Sequence, residues 1–231
     1  MKRIIPTGCG LLDERLGGGL LEGNMVLVFG EAETGKTTLA IQCAVNCARM
    51  SYKTIFIDCD STFFPRRMAQ IAIDDFEALA HQIILMKPED FEQQTIVIDR
   101  LNDYISKKVG LIVVDTITNL YSERLGDDMK KTFALNRELN RQMACLAQIT
   151  KTHKVASLIV SQVRSVILEE HGKVQPVATR VLKFWTDKTI SLKPTAQTNV
   201  IKANVETHID KKPVKPIFLK IEEKGLHDYR G

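Results

Sequence analysis

Five short apolar runs punctuate the first two thirds of the chain, at residues 25–29, 54–57, 83–86, 111–114 and 156–160. Each is continuous rather than alternating, so each predicts a strand buried on both faces, and together they predict a parallel sheet flanked by helices. Helix-length segments separate them, at 36–50, 65–73, 89–107 and 128–153. In the last of these Leu135, Leu139, Met143, Leu146 and Ile149 recur at helical spacing and predict the core stripe of an amphipathic helix. Lys130, Lys131, Arg137, Glu138 and Arg141 then form its solvated face. After Val163 the pattern changes. Residues 164–178 are polar and predict a long loop, and short strand candidates follow at 189–192, 198–206 and 217–221. Three strands in quick succession predict an antiparallel extension of the sheet. No repeat, low-complexity stretch or linker interrupts the sequence, so residues 1–231 are expected to form one α/β domain.

Composition narrows the class only a little. Of 231 residues 44% are hydrophobic and 26% charged, ordinary proportions for a globular chain with a full core. Aromatics are 6%, so aliphatic side chains must build that core. A net charge of +4 permits contact with nucleic acid without demanding it. Met1-Lys2-Arg3 is not followed by the apolar stretch of a secretory signal, and no run is long enough to span a bilayer. Five cysteines without a C-x-x-C pair suit a reduced, cytoplasmic protein. Cys43 and Cys47, four apart on a predicted helix, read as small buried hydrophobes rather than as a metal pair.

The most specific chemistry lies at Gly30-Glu31-Ala32-Glu33-Thr34-Gly35-Lys36-Thr37, which fits G-x-x-x-x-G-K-[ST]. A predicted strand leads in and a predicted helix, beginning with Thr38, leads out. Gly30 and Gly35 let the backbone curl so that successive N–H groups face anionic oxygens, and the helix adds its positive end. Lys36 can reach the β- and γ-phosphates of ATP, and the Thr37 hydroxyl can ligate Mg²⁺.

Carboxylates at other strand ends complete an ATPase. Leu111-Ile112-Val113-Val114-Asp115 is an apolar run ending in an acid, a Walker B arrangement, and its strand is expected beside the phosphate-loop strand. Asp115 would then hold the Mg²⁺ shell near Thr37. Asp58-Cys59-Asp60 closes another strand; Asp60 is the candidate for orienting the attacking water, with Asp58 structural. Gln162, at the end of the fifth strand, can hydrogen-bond the γ-phosphate and report its loss to the loop that follows.

With these residues in place, the chain resembles the core of the RecA/RadA recombinase family, closest to its archaeal RadB branch. Residues 6–20, PTGCGLLDERLGGGL, are similar to the family's T-G-x-x-x-L-D-x-x-L-G-G-G lead; residues 56–67, FIDCDSTFFPRR, resemble its Y-I-D-T-E-G-T-F-R-P-E-R; and residues 158–163, LIVSQV, resemble its V-V-T-N-Q-V. Residues 181–185, VLKFW, are similar to the H-V-L-E-H-W of the RadB branch. The likeness runs from about Ile5 to the C-terminus. It implies a RecA-type fold, ATP bound near a protomer interface in a possible homo-oligomer, and roles in DNA recombination and repair. By position it makes Lys36 and Thr37 phosphate and Mg²⁺ ligands, Asp115 the Walker B acid, Gln162 the γ-phosphate sensor, and Arg67 a guanidinium that stacks on adenine.

Three departures shape the expected function. Asp60 stands where the family has a glutamate; a carboxylate about an ångström out of place costs on the order of a hundredfold in rate. Hydrolysis is therefore expected to be slow, and Asp60→Glu to raise it. The chain starts almost at the ATPase core, without the family's N-terminal DNA-binding domain and linker, which fits an accessory of a full-length RadA-type recombinase or a repair nuclease. The loop after Gln162 holds Arg164, His171, Lys173 and Arg180 but also Glu169 and Glu170, and a second family DNA loop near 121–132 sets Arg124, Lys130 and Lys131 against Glu123, Asp127 and Asp128. Binding to single-stranded or branched DNA is expected to be modest and salt-sensitive, and charge reversal at Arg164 and Lys173 to weaken it. The competing expectation is a nucleotide-controlled protein-interaction module, KaiC-like or a recombinase partner, with little DNA contact.

Overall fold

The computed structural model describes residues 2–126, 128–164, 175–176, 178–207 and 215–230. In chain order the elements are β1 (Ile4–Ile5), α1 (Gly10–Leu16), β2 (Leu20–Leu21), β3 (Met25–Gly30), α2 (Lys36–Arg49), β4 (Lys53–Asp58), α3 (Pro65–Ala72), α4 (Phe76–Ala80), β5 (Ile83–Met86), α5 (Phe91–Asp99), α6 (Leu101–Tyr104), β6 (Val109–Asp115), α7 (Asn119–Glu123), α8 (Met129–His153), β7 (Ala156–Arg164), β8 (Gln175–Pro176), α9 (Thr179–Trp185), β9 (Lys188–Pro194), β10 (Val200–Thr207), β11 (Ile217–Glu222) and β12 (Gly225–Asp228).

Among the described residues these strands form a ten-stranded sheet of order β12-β11-β10-β9-β3-β7-β6-β4-β5, with β8 paired to β7. From β9 to β5 every neighbouring pair is parallel. β10 and β11 add on antiparallel, as predicted, whereas β9, the first of the three expected strands, still pairs parallel with β3, and β12 extends the antiparallel part by a strand that the sequence reading lacks. Two apolar layers explain the continuous runs. Val26 and Val28 of β3 pack with α2 on one face, whereas Met25, Leu27 and Phe29 pack with α8 on the other. A strand clothed on both sides has no polar face to alternate with.

Small residues let α2 lie close. Ala40, Cys43, Ala44, Cys47 and Ala48 are all buried, and a Cβ on Gly110 of β6 would stand 2.9 Å from Cys47 Sγ. The cysteines serve here as small hydrophobes; burial pushes the Cys43 thiol well above its usual range. Leu139, Met143, Leu146 and Ile149 of α8 are buried and Leu135 packs at the margin, as the helical stripe predicts. Truncating a core residue such as Leu139 to alanine would cost about 2–5 kcal/mol.

Four expectations about the elements need correction. The run 83–86 is not buried on both faces, because β5 is the edge strand, half-buried and with Leu85 exposed. β6 does not lie beside β3, because β7 stands between them. The helix expected over 89–107 is two helices; Asp90 caps α5, the chain turns at Arg100, and α6 ends at extended Ile105 to enter β6. The loop expected over 164–178 lies largely outside the described residues. At its margins β7 runs on to Arg164 and β8 pairs back antiparallel, and the chain re-enters as a helix, α9. No helix among the described residues is long and apolar enough to cross a membrane.

Candidate nucleotide site

The phosphate loop leaves the C-terminal end of β3 at the centre of the sheet. Gly30 pairs with Gln162 of β7 on one side and Leu192 of β9 on the other. A Cβ at Gly30 would meet the Leu192 carbonyl oxygen at 2.3 Å, so only glycine fits. Glu33 and Gly35 adopt left-handed backbone, with φ of 61° and 80°, and Gly35 opens the 14-residue α2. The loop also braces itself. Thr34, buried, donates its hydroxyl to the Glu31 carbonyl at 2.8 Å, and the Lys36 ammonium donates to the same oxygen. Ala32 and Glu33 face solvent. Glu33, Gly35, Lys36, Thr37, Thr38 and Ile221 line a cavity of about 220 Å³ at the mouth of α2. Ile221, from β11, is a wall that the motif alone does not foretell.

Charge is concentrated below this loop. Lys36 is 8% exposed, and burial lowers its pKa, opposed by Asp115, Asp60 and Glu31. Asp115 is fully buried, and burial pushes its carboxyl up to about 7. Asp60 and Asp58 raise it further, while the Thr37 hydroxyl and Lys36 draw it down. Among the described residues neither Asp115 oxygen accepts a hydrogen bond of ordinary geometry. A buried carboxylate with both oxygens open costs free energy unless something cationic completes it. An oxygen-seeking divalent cation shared with the Thr37 hydroxyl fits that need, so the residues present fit Mg²⁺ with ATP.

Asp60 is half-buried on the turn after β4, near enough to raise Asp115 and to support the charge on Lys36. Its Oδ2 accepts the Thr116 hydroxyl at 2.8 Å, and its Oδ1 accepts the Thr62 hydroxyl. Asp58 is structural: its oxygens accept the backbone N–H groups of Thr62 at 3.0 Å and Phe63 at 3.2 Å, with Lys87 at 3.6 Å. The Asp115–Thr116 peptide bond is cis. Beside Asp60 lies a cavity of about 340 Å³ that Lys87, Glu89, Asn119 and Glu123 also line. Gln162 is exposed two residues before the end of β7, and Ser161 next to it shares a hydroxyl contact of 3.1 Å with Thr118. The structure thus brings Lys36, Thr37, Asp60 and Asp115 together, with Gln162 the ladder partner of Gly30.

Arg67 stands apart from that set. Its guanidinium donates to the Glu223 and Glu222 carbonyls at 2.7 and 2.8 Å, tying α3 to the turn after Ile221. Those bonds occupy the edge of the planar group. Of the DNA candidates, Arg124 is engaged with Glu92, while Lys130, Lys131 and Arg180 are exposed. Lys173 and the side chain of Arg164 lie outside the described residues. A cavity of about 930 Å³ between α8 and α9 is at the opposite end of the strands and gathers no catalytic set.

A central parallel sheet, a glycine-rich loop at its crest and an acid on a nearby strand define a core of the RecA-like class. A family model described as Rad51 matches residues 2–229, and the chain belongs to the Rad51 family. Its relatives over nearly the full length include proteins named DNA repair and recombination protein RadB. That of Thermococcus gammatolerans is 32% identical over 229 residues, covering 97% of this chain and 99% of the relative. That of Methanobrevibacter smithii is 30% identical over 226 residues, covering 96% and 94%. A solved structure, described as the RadB recombinase, superposes with a TM-score of 0.82 at 27% identity, covering 98% of this chain and all of that one.

Proposed function

We propose that this chain is a single-domain, ATP-binding and slowly ATP-hydrolysing protein of homologous recombination and DNA repair, acting in the cytoplasm as an accessory of a full-length recombinase or a repair nuclease. The observation that carries the ATPase reading is Asp115, buried beside Thr37 and Lys36, with neither oxygen in a hydrogen bond of ordinary geometry among the described residues. In this reading Lys36 and the loop N–H groups hold the phosphates, and Thr37 and Asp115 hold Mg²⁺. Bound Mg²⁺ would neutralise charge on the β- and γ-phosphate oxygens. Asp60 orients the attacking water, Gln162 senses the γ-phosphate, and a face of Arg67 meets the adenine. The names of the relatives support the recombination role.

DNA contact in this reading falls to Arg164, Lys173, Arg180, Arg124, Lys130 and Lys131. One observation favours the second reading, an ATP-controlled protein-interaction module: Arg124 is already engaged with Glu92, which takes a cation from that set. The two readings separate on single-stranded DNA affinity at fixed salt, measured without nucleotide, with ADP and with a non-hydrolysable ATP analogue. Tightening only with the analogue is the expected result. Weak binding that ignores the nucleotide would move the function to protein contacts.

A further inference from the structure

The acid given the water-orienting role is one methylene shorter than a glutamate, and it does not hang freely. Each of its two oxygens meets a hydroxyl, one from the Walker B strand end and one from its own turn. Thr116 is 2% exposed and follows Asp115 directly, so its hydroxyl has no access to bulk water. Thr62 is placed by the Asp58 carboxylate, which accepts both the Thr62 and Phe63 N–H groups. A second backbone bond, from Cys59 N–H to the Asp115 carbonyl at 2.7 Å, locks the end of β4 to the end of β6. An ionised carboxylate offers about four acceptor positions, so two hydroxyls fix its plane and leave acceptors open. The 340 Å³ cavity that Asp60 borders has room for water.

We propose that Thr116, assisted by Thr62, is a positioning residue for Asp60: the two hydroxyls hold the short acid in the orientation from which it can direct the attacking water. This rests on the reading of Asp60 as the water-orienting acid. It also narrows the expected gain from Asp60→Glu, because the longer acid carries its carboxylate past both hydroxyls and sets reach against grip.

The test is single-turnover ATP hydrolysis and MgADP affinity in the full chain, for native protein, Thr116→Val, Thr116→Ser, Thr62→Ala and Asp60→Asn. Thr116→Val keeps the shape and removes the O–H. Its rate is expected to fall about 10- to 100-fold, since a misplaced catalytic group loses rate on that scale. MgADP affinity should stay within about threefold in the same variant, showing that the fold and loop are intact. Thr116→Ser retains the donor and should hydrolyse close to the native rate; Thr62→Ala should fall less than Thr116→Val. In an Asp60→Asn background Thr116→Val should add little, because the two changes disable one unit. A native rate for Thr116→Val, an equal loss for Thr116→Ser, or a full further loss in the Asp60→Asn background would each overturn the proposal. A native rate for Asp60→Asn alone, or no turnover by the native chain, would remove the underlying role of Asp60 and the positioning role with it. A slow Thr116→Val beside a near-native Thr116→Ser, with a slow Asp60→Asn and non-additive losses, would sustain both.

Discussion

Replacing Asp115 by asparagine keeps its shape and removes a buried charge that the Thr37 hydroxyl and Lys36 only partly offset. Burial first, and Asp60 next, raise its carboxyl from 3.8 to about 7. At 1.36 kcal/mol per unit, ionising it in the folded chain costs about 4 kcal/mol once the pH is well above 7. Because the folded value lies above the unfolded one, the folded chain binds the extra proton between about pH 4 and pH 7, and stability falls as pH rises through that window. About 2 kcal/mol of the penalty is already present at pH 5, so the stability of native protein relative to Asp115→Asn should worsen by about 2–3 kcal/mol from pH 5 to pH 8. Any fixed cost of the asparagine amide cancels in that difference. Urea unfolding of both proteins at the two pH values, without nucleotide or divalent cation, measures it directly. Saturating MgADP at pH 8 should reverse the order, stabilising the native chain more than the variant. A native-minus-variant difference that does not change with pH would mean that Asp115 is not an uncompensated buried carboxylate, and the argument for Mg²⁺ beneath the loop would fall with it.

Gly30→Ala should destabilise the chain by about 2 kcal/mol and weaken ATP binding, because its Cβ would lie 2.3 Å from the Leu192 carbonyl oxygen; calorimetric titration with MgATP and thermal melting check the two halves. Gln162→Ala should leave MgATP affinity unchanged and abolish any tightening of DNA binding by the ATP analogue, read by fluorescence anisotropy of a labelled single strand. Gln42→Leu should cost about 3 kcal/mol in urea unfolding. The Gln42 amide bonds the Thr7 and Leu226 carbonyls at 2.9 and 3.1 Å and accepts the Leu226 N–H at 2.7 Å, so leucine leaves buried backbone groups unpaired.

What the sequence reveals of this molecule is what is local. The strand before Gly30, the loop and the helix from Lys36 form one contiguous unit, and their motif is readable because eight neighbouring residues carry it. Runs such as 111–114 declare burial on both faces, and the structure bears that out. Strand order is not local. Nothing within Val109–Asp115 says that β7 will slip between it and β3, and that choice depends on how α8 packs after residue 129. The grip on Asp60 is hidden for the same reason, since Thr116 is 56 residues away and reaches it only because β4 and β6 pair. The break between α5 and α6 escapes the periodicity because Phe91, Gln94, Ile98 and Leu101 keep helical spacing across it and all are buried.

The position of β3 has a consequence for how the chain is made. Both of its sheet neighbours, β7 and β9, are encoded more than 120 residues later, so the strand leading into the phosphate loop emerges from the ribosome long before anything can pair with it. Contacts so distant in sequence form slowly, and an apolar strand kept waiting is exposed to misassociation. A nascent fragment ending before Ala156 would contain the whole phosphate-binding motif and still lack the floor on which the cradle rests. On the proposed reading, nucleotide capture would therefore be a property of the nearly finished chain, and ligand added during synthesis would rescue only molecules in which β7 and β9 have already emerged.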